Sequence, residues 1–189
     1  MLQRLFESVF RNDAPEGPAG SARPSLVLSL PAPLRGPLEE RLPGILPTAE
    51  VFRRLFAEAR TSVKVFSPYV DPTFTSLAQS ARAPIQVITT LREARQRSNP
   101  VLERFASTRP LAVRYLHEKH ARAQMFQLHA KMILADSSRA YLGSANLTDT
   151  SLHYNFELGI YMEDQDLVGR LHALFDYVFD FAAKPAEAL

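Results

Sequence analysis

Cysteine is missing from this chain of 189 residues, and so is tryptophan. The first absence excludes disulfides, thiolate metal sites and cysteine nucleophiles, and it suits a reducing cytoplasm, where we expect the protein to work. HExxH is absent too, so no metal or other cofactor is expected. No apolar run approaches the roughly 20 residues that span a bilayer. The N-terminal "MLQRLFESVF" has neither the apolar core nor the small-residue cleavage site of a secretory signal. Leu2, Leu5, Phe6, Val9 and Phe10 recur there at helical spacing, which predicts a short amphipathic helix docking on the core or a partner. With only Arg4 and Arg11 on its polar face, stable membrane insertion is not expected.

Glycine is scarce, and four of the seven glycines, with eight of the fourteen prolines, fall between residues 15 and 47. That stretch reads as irregular, apart from an edge strand at "SLVLSL", Ser25 to Leu30. What remains is an ordinary globular composition, 46% hydrophobic and 22% charged, enough for one domain with a real core. The net charge of +2 hides an asymmetry. Arg92, Arg95, Arg97, Arg104, Arg109, Arg114, Lys119 and Arg122 face only three glutamates within residues 92–122, whereas acids dominate from Thr150 onward. A basic segment beside an acidic tail suits a polyanion, with Arg95, Arg97, Arg104, Lys119 and Arg122 the candidate nucleic-acid contacts; a solvated helix and loop is the plainer reading.

From Pro47 the texture changes. Thr48 is a plausible N-cap, followed by a helix that buries Val51, Leu55, Phe56 and Ala59. Then come a strand "VKVF", a helix over Thr73 to Arg82, a strand "IQVITT", a helix over Val101 to Ser107 and a strand "LAVRYL". The alternation predicts an α/β fold with a mixed, mainly parallel sheet flanked by helices. A last helix runs from Asp164 to Ala183, with Leu167, Leu171, Leu174, Phe175, Val178 and Phe179 as its apolar stripe. We divide the chain into a lead-in (1–46), a catalytic domain (47–183) and a tail (184–189).

The chemistry concentrates in "LHAKMILADSSRAYLGSAN", Leu128 to Asn146. Taken as a strand, Leu128 to Ala135 sends His129, Lys131 and Ile133 to one face and Leu128, Ala130, Met132 and Leu134 to the other. Asp136 has the wrong parity and reads as a turn residue. A two-residue turn at Ser137-Ser138 would set Lys131 opposite Ser144 and His129 opposite Asn146. Gly143 would let a ligand approach the backbone. "YNFELGIYM" alternates strictly and places Glu157 on its polar face, where a carboxylate can fix an imidazole tautomer. His153 could line the site, His172 reads as packing, and His117 and His120 fall in the basic loop "HEKHARAQ".

These residues resemble the phospholipase D superfamily: HxK, four residues, Asp, six residues, then GSxN, carried by His129, Lys131, Asp136, Gly143, Ser144 and Asn146. Asn155 and Glu157 are similar to that family's downstream NxE element, and Thr48 to Tyr69 to the start of a family half-domain. Most members carry the signature twice; this chain has it once, as small bacterial nucleases do and, more distantly, the phospholipase-D-like component of phage-defence clusters of the DISARM type. The resemblance implies a homodimer sharing one site, with His129 as nucleophile and acid, Lys131, Ser144 and Asn146 on the phosphate oxygens, Glu157 orienting an imidazole, and no metal. It implies a phosphodiesterase, first a nuclease acting on DNA or RNA. A lipid phosphodiesterase or phosphatidyltransferase, and a non-catalytic nucleic-acid-binding dimer within a larger defence assembly, stay open beside it.

Overall fold

The computed structural model describes residues 22–182 except 32, 35–37, 39, 40, 42, 43, 91–97, 121 and 122. The N-terminal helix and Arg95, Arg97 and Arg122 lie outside these residues. An eight-stranded sheet holds the rest together. Its strands are β1 (Ala22–Ser29), β2 (Leu46–Pro47), β3 (Val63–Phe66), β4 (Ile85–Thr89), β5 (Leu111–Tyr115), β8 (Lys131–Ala135), β9 (Arg139–Gly143) and β10 (Glu157–Glu163), in the order β2-β1-β10-β9-β8-β3-β4-β5. A separate hairpin, β6 (His117–His120) with β7 (Ala123–Gln127), stands between β5 and β8 in the chain.

The sheet is mixed as expected, but its parallel part is small. Only β3-β4-β5 and the short β1-β2 contact run parallel; the four pairings of β1-β10-β9-β8-β3 are antiparallel. The helices alternating with β3, β4 and β5 supply crossover connections, whereas the tight joins around β8, β9 and β10 permit only a meander. β1, within the sequence assigned to the lead-in, pairs with β10 from Ala22 to Ser29 and is part of this sheet, one strand in from the edge.

Both faces of the sheet are covered. On one lie α1 (Thr48–Ala57), α2 (Thr73–Ser80), α3 (Pro100–Ala106) and α4 (Asp149–His153), whose Phe52, Leu55, Phe56, Phe74, Leu102 and Leu152 pack on Val65, Val87, Ile133 and Tyr141. On the other lies α5 (Gln165–Phe181), whose Val168, Phe175 and Phe179 pack on Phe66, Ile88, Met132 and Leu134. This explains two departures from the periodicity. Leu167 and Leu174 are exposed, because the buried stripe of α5 is centred on Val168 and Phe175 instead. Thr48 is the first residue of α1 and not its cap; Pro47 holds the cap position, with no side-chain hydrogen bond.

The α5 helix packs on β8, β9 and, through Met162, the end of β10, and leaves the start of β10 exposed. There Leu26, Leu158 and Ile160 stand on the uncovered face, Leu158 51% and Ile160 44% exposed. The alternation of β10 holds from Glu157 to Ile160: Glu157 and Gly159 are buried under the helices and Leu158 and Ile160 are exposed, whereas Met162, further along the same face, is buried against α5.

Candidate active site

The β8-β9 turn sets the site's register. Asp136 adopts φ 54°, a left-handed conformation that short polar side chains tolerate best among non-glycine residues. The turn thus takes three residues, Asp136 to Ser138, and β8 pairs Ala135 with Arg139, Ile133 with Tyr141 and Lys131 with Gly143. Lys131 does not face Ser144, as a two-residue turn would have it; the register slips by one. Asp136 itself is structural. Its Oδ1 accepts from the amides of Arg60 (2.9 Å), Thr61 (2.7 Å) and Ser62 (3.3 Å) and from the Thr61 hydroxyl, and its Oδ2 accepts from Arg139 (3.0 Å). Burial pushes this carboxyl up, but the donors outweigh burial and hold it well below the ordinary carboxylate range.

At the other end of the hairpin the signature residues converge. Lys131 opens β8, is 8% exposed, and donates from Nζ to the carbonyl of His129 at 2.7 Å. Burial pulls its ammonium down from the usual lysine range, and the Glu157 carboxylate pushes the other way. His129 lies just before the strand and is exposed; among the described residues its ring has no hydrogen-bond partner. Ser144 donates from Oγ to Glu157 Oε2 and accepts from the Leu158 amide at 3.1 Å. Asn155 donates to Glu157 Oε1 at 3.0 Å. Within this chain the Glu157 carboxylate holds Ser144 and Asn155, and among the described residues no imidazole is bonded to it. Asn146 is half-buried, and among the described residues its Oδ1 is buried without a partner.

Three further features hold this end together. Gly143 pairs across β10 with Gly159, and the Tyr141 ring lies over both: a Cβ at Gly143 would come 2.3 Å from the Tyr141 hydroxyl and 2.7 Å from the Leu158 carbonyl. The space that Gly143 leaves is thus filled by Tyr141, not held for a ligand. Tyr141 is fully buried, its hydroxyl accepts from the Ala145 amide at 3.3 Å, and burial pushes its phenol up to about 12, so it stays neutral. Ser67, after β3, donates to the Tyr69 carbonyl and accepts from the Leu147 amide at 3.0 Å. Asp71 accepts from the amides of Thr73 and Asp149. The "SPYVD" segment is therefore a latch on the loop that carries Ser144 and Asn146. Its Ser and Asp, readable as turn residues, were the only signal for this.

Residues 52–179 match the sequence family described as cardiolipin synthase, PLD-like domain. The chain belongs to the phospholipase D-like family. A search of curated proteins by sequence gives no match. Among solved structures, this phospholipase D-like chain is similar to NucT from Helicobacter pylori, at 17% identity and a TM-score of 0.65, over 86% of this chain and 98% of that one. It is similar to Nuc, a phospholipase D family member from Salmonella typhimurium, at 13% identity and 0.57, with the same coverage. It also resembles phosphatidylserine synthase from Haemophilus influenzae Rd KW20, at 15% identity and 0.62, over 87% of this chain but 40% of that longer one.

The remaining candidates sit around the phospholipase D-like core at different distances. Lys119 falls on β6, so the basic loop is in fact a β-hairpin. A Leu128 amide to Leu116 carbonyl bond of 3.1 Å closes its stem, one residue from His129. Arg104 is exposed on the last turn of α3, toward the end of the sheet where β5 begins and away from Lys131. His153, on α4, pairs with Asp149 at 2.8 Å, and His172 meets the Asp136 carbonyl. Among the described residues no helix is long and apolar enough to cross a membrane, and no group of three or more His, Cys, Asp and Glu side chains could hold a metal ion.

Proposed function

We propose that this protein is a metal-independent phosphodiesterase acting on nucleic acid, with one active site shared by two copies of the chain. The observation that carries the reading is the meeting of His129, Lys131, Ser144 and Asn146 at one end of the β8-β9 hairpin. A nucleophile, a cation and polar hydrogen-bonding groups at one point are what in-line displacement at phosphorus needs. His129 attacks phosphorus, forming an N–P bond as the ester P–O bond breaks. The partner's His129, protonated, gives its proton to the leaving oxygen. Water then attacks phosphorus, the N–P bond breaks, and the partner's imidazole takes the water's proton. Lys131 and the Asn146 amide hold the non-bridging oxygens, while Glu157 acts through Ser144 and Asn155 as a positioning residue.

Two features support the shared site. The chain spans nearly the whole of NucT and Nuc but 40% of the longer phosphatidylserine synthase chain, as one unit of a two-unit architecture would. The uncovered strip of Leu26, Leu158 and Ile160 runs to the rim of the site, since Leu158 exchanges hydrogen bonds with Ser144. A second copy seated there would bury apolar surface and bring its own His129 near. Nucleic acid is favoured over lipid by the basic sequence of the hairpin segment 117–122, at whose stem His129 stands. A role in phage defence or DNA processing rests on the resemblance alone. Labelled single-stranded DNA, double-stranded DNA, RNA and phosphatidylcholine, each incubated in EDTA, test the reading. Nucleic-acid cleavage that survives chelation supports it; cleavage of the lipid alone replaces it.

A further inference from the structure

The helix α5 buries one apolar stripe and leaves a second one bare. Val168, Phe175 and Phe179 face the sheet, and Leu171 and Val178 sit half-buried at the edge of that core. Beyond this edge Leu167, Leu174 and Phe181 repeat every seven residues, so they share one flank; Leu174 is 51% and Phe181 68% exposed. Exposed Tyr177 widens the stripe. The opposite flank is polar and already engaged, with Asp176 paired to Lys64 at 2.6 Å and His172 on the Asp136 carbonyl. Those contacts fix the rotation of the helix and turn the second stripe outward. Large apolar side chains lined up at helical spacing mark a surface that something covers. The chain itself offers an occupant. Residues 1–21 precede the described ones, and Ala22 is the register partner of Glu163, two residues before α5 begins at Gln165. The lead-in therefore joins the fold beside the first turn of α5.

We infer that residues 2–10 dock as an amphipathic helix along the stripe of Leu167, Leu174 and Phe181 in the same chain. Leu2, Leu5, Phe6, Val9 and Phe10 make one apolar face at helical spacing. So short a helix does not hold by itself in water and forms only against an apolar surface. Reach is no obstacle: residues 11–21 span up to about 36 Å when extended, and α5 is about 25 Å long. Pro15, Gly17, Pro18 and Gly20 in that linker stop the helix short of β1 and let the chain turn back onto α5. Charge agrees. Residues 1–11 carry Arg4 and Arg11 against Glu7, whereas residues 163–181 carry Glu163, Asp164, Asp166, Asp176 and Asp180 against Arg170. Two other occupants fit less well. An anionic membrane surface is repelled by those acids. A second copy needs one self-complementary face in a closed dimer, and the shared-site reading puts that face at Leu158.

Because the chain has no cysteine, one introduced cysteine can carry a spin label without competition. In the full chain labelled at Glu7→Cys, on the polar face of the segment, the methyl signals of Leu167, Leu171, Leu174 and Val178 should lose most of their intensity in NMR. Those of Leu55 and Leu102, which pack on the sheet's other face, should keep theirs. Phe6→Asp in the labelled chain should restore the lost intensity, and Arg4→Glu should restore part of it. Leu174→Asp should release the segment from the other side; it changes an exposed residue, and unshifted core methyls confirm that the variant folds. Amides of residues 5–10 should exchange about tenfold more slowly in wild type than in Leu174→Asp. Stripe methyls that keep full intensity beside the label overturn the inference. So does a loss of intensity seen only when spin-labelled chains are mixed with isotope-labelled ones, which would assign the stripe to a second copy's segment. Methyls that respond only once phosphatidylglycerol vesicles are added overturn it as well and make the stripe a membrane contact.

Discussion

The Ser144 hydroxyl donates its proton to Glu157 and receives one from the Leu158 amide. A hydroxyl held at both ends is a fixed part of the site's frame, and it has no proton left for a phosphate oxygen while that bond stands. Ser144→Ala should therefore lower kcat modestly, by about tenfold. Glu157→Gln should cost more, on the order of a hundredfold, because the amide's NH2 must then face one of two donors, Ser144 or Asn155. Both variants should leave KM for a small diester such as bis(4-nitrophenyl) phosphate within about twofold. Steady-state kinetics on that substrate decides. A Ser144→Ala loss as large as that of His129→Ala would show direct phosphate contact instead.

Lys131 is buried beside an exposed His129, and its Nζ holds the His129 backbone carbonyl. Lys131→Met should fold, since the aliphatic stem is conserved, and should lose about a thousandfold in kcat through lost charge at the non-bridging oxygens. A phosphohistidine trapped by acid quench should vanish in His129→Asn and accumulate less in Lys131→Met. Full turnover in EDTA is expected of both wild type and residual activities. A strict need for magnesium would remove this mechanism.

Asp136 gives the prediction with a sign. Its folded carboxyl titrates below its unfolded value of about 3.9. The stabilisation it supplies is complete above that unfolded value and is lost as pH falls through the lower, folded one. Chemical denaturation of wild type and Asp136→Asn should differ by about 2–4 kcal/mol at neutral pH, with the gap closing below pH of about 4. A gap that is constant with pH would mean that the side chain's shape and not its charge holds residues 60–62.

Gly143→Ala should destabilise severely. The obstructing atoms include the Gly159 Cα and the Leu158 carbonyl, which are backbone, as well as the Tyr141 hydroxyl. The strands must part or Tyr141 must leave its place beneath the loop, a cost of about 2–4 kcal/mol. Thermal unfolding read by circular dichroism checks this, and a melting temperature unchanged within a degree or two would contradict the close packing seen here.

Much of this site was legible because the chemistry-bearing residues lie close together in sequence, where strand parity and turn length do most of the placing. Even so, Asp136 in a left-handed conformation lengthened the turn by one residue and slipped the register. Nothing in "DSSR" distinguishes the two lengths without the Arg60–Ser62 amides, which arrive from 74 or more residues away. Which face of β10 is buried was not legible for a related reason. Alternation shows which residues share a face, but which face is covered depends on where α5 lies. The same limit hid the Ser67 and Asp71 latch, the pairing of Gly143 with Gly159, and the proximity of Ser29 to Glu157. All are contacts between distant segments that local periodicity does not carry.

The last prediction concerns the missing second histidine. If each site needs His129 from both copies, a dimer with one His129→Ala subunit should be inactive. Co-folding equal amounts of wild type and mutant gives random pairing, with about a quarter of dimers wholly wild type. Activity should then fall to roughly a quarter of that of the same total protein made wild type, whereas independent sites would retain about half. Differently tagged chains and tandem purification isolate the mixed dimer and remove the dependence on pairing statistics. Leu158→Asp adds an orthogonal arm, because a carboxylate on the exposed strip should prevent association while leaving the buried Lys131 and Glu157 in place. That variant should sediment as a monomer and be inactive. A mixed dimer at half the wild-type rate, or an active Leu158→Asp monomer, would make each chain self-sufficient. The acid would then have to come from within the chain, and His153, already paired with Asp149, would be the first to replace.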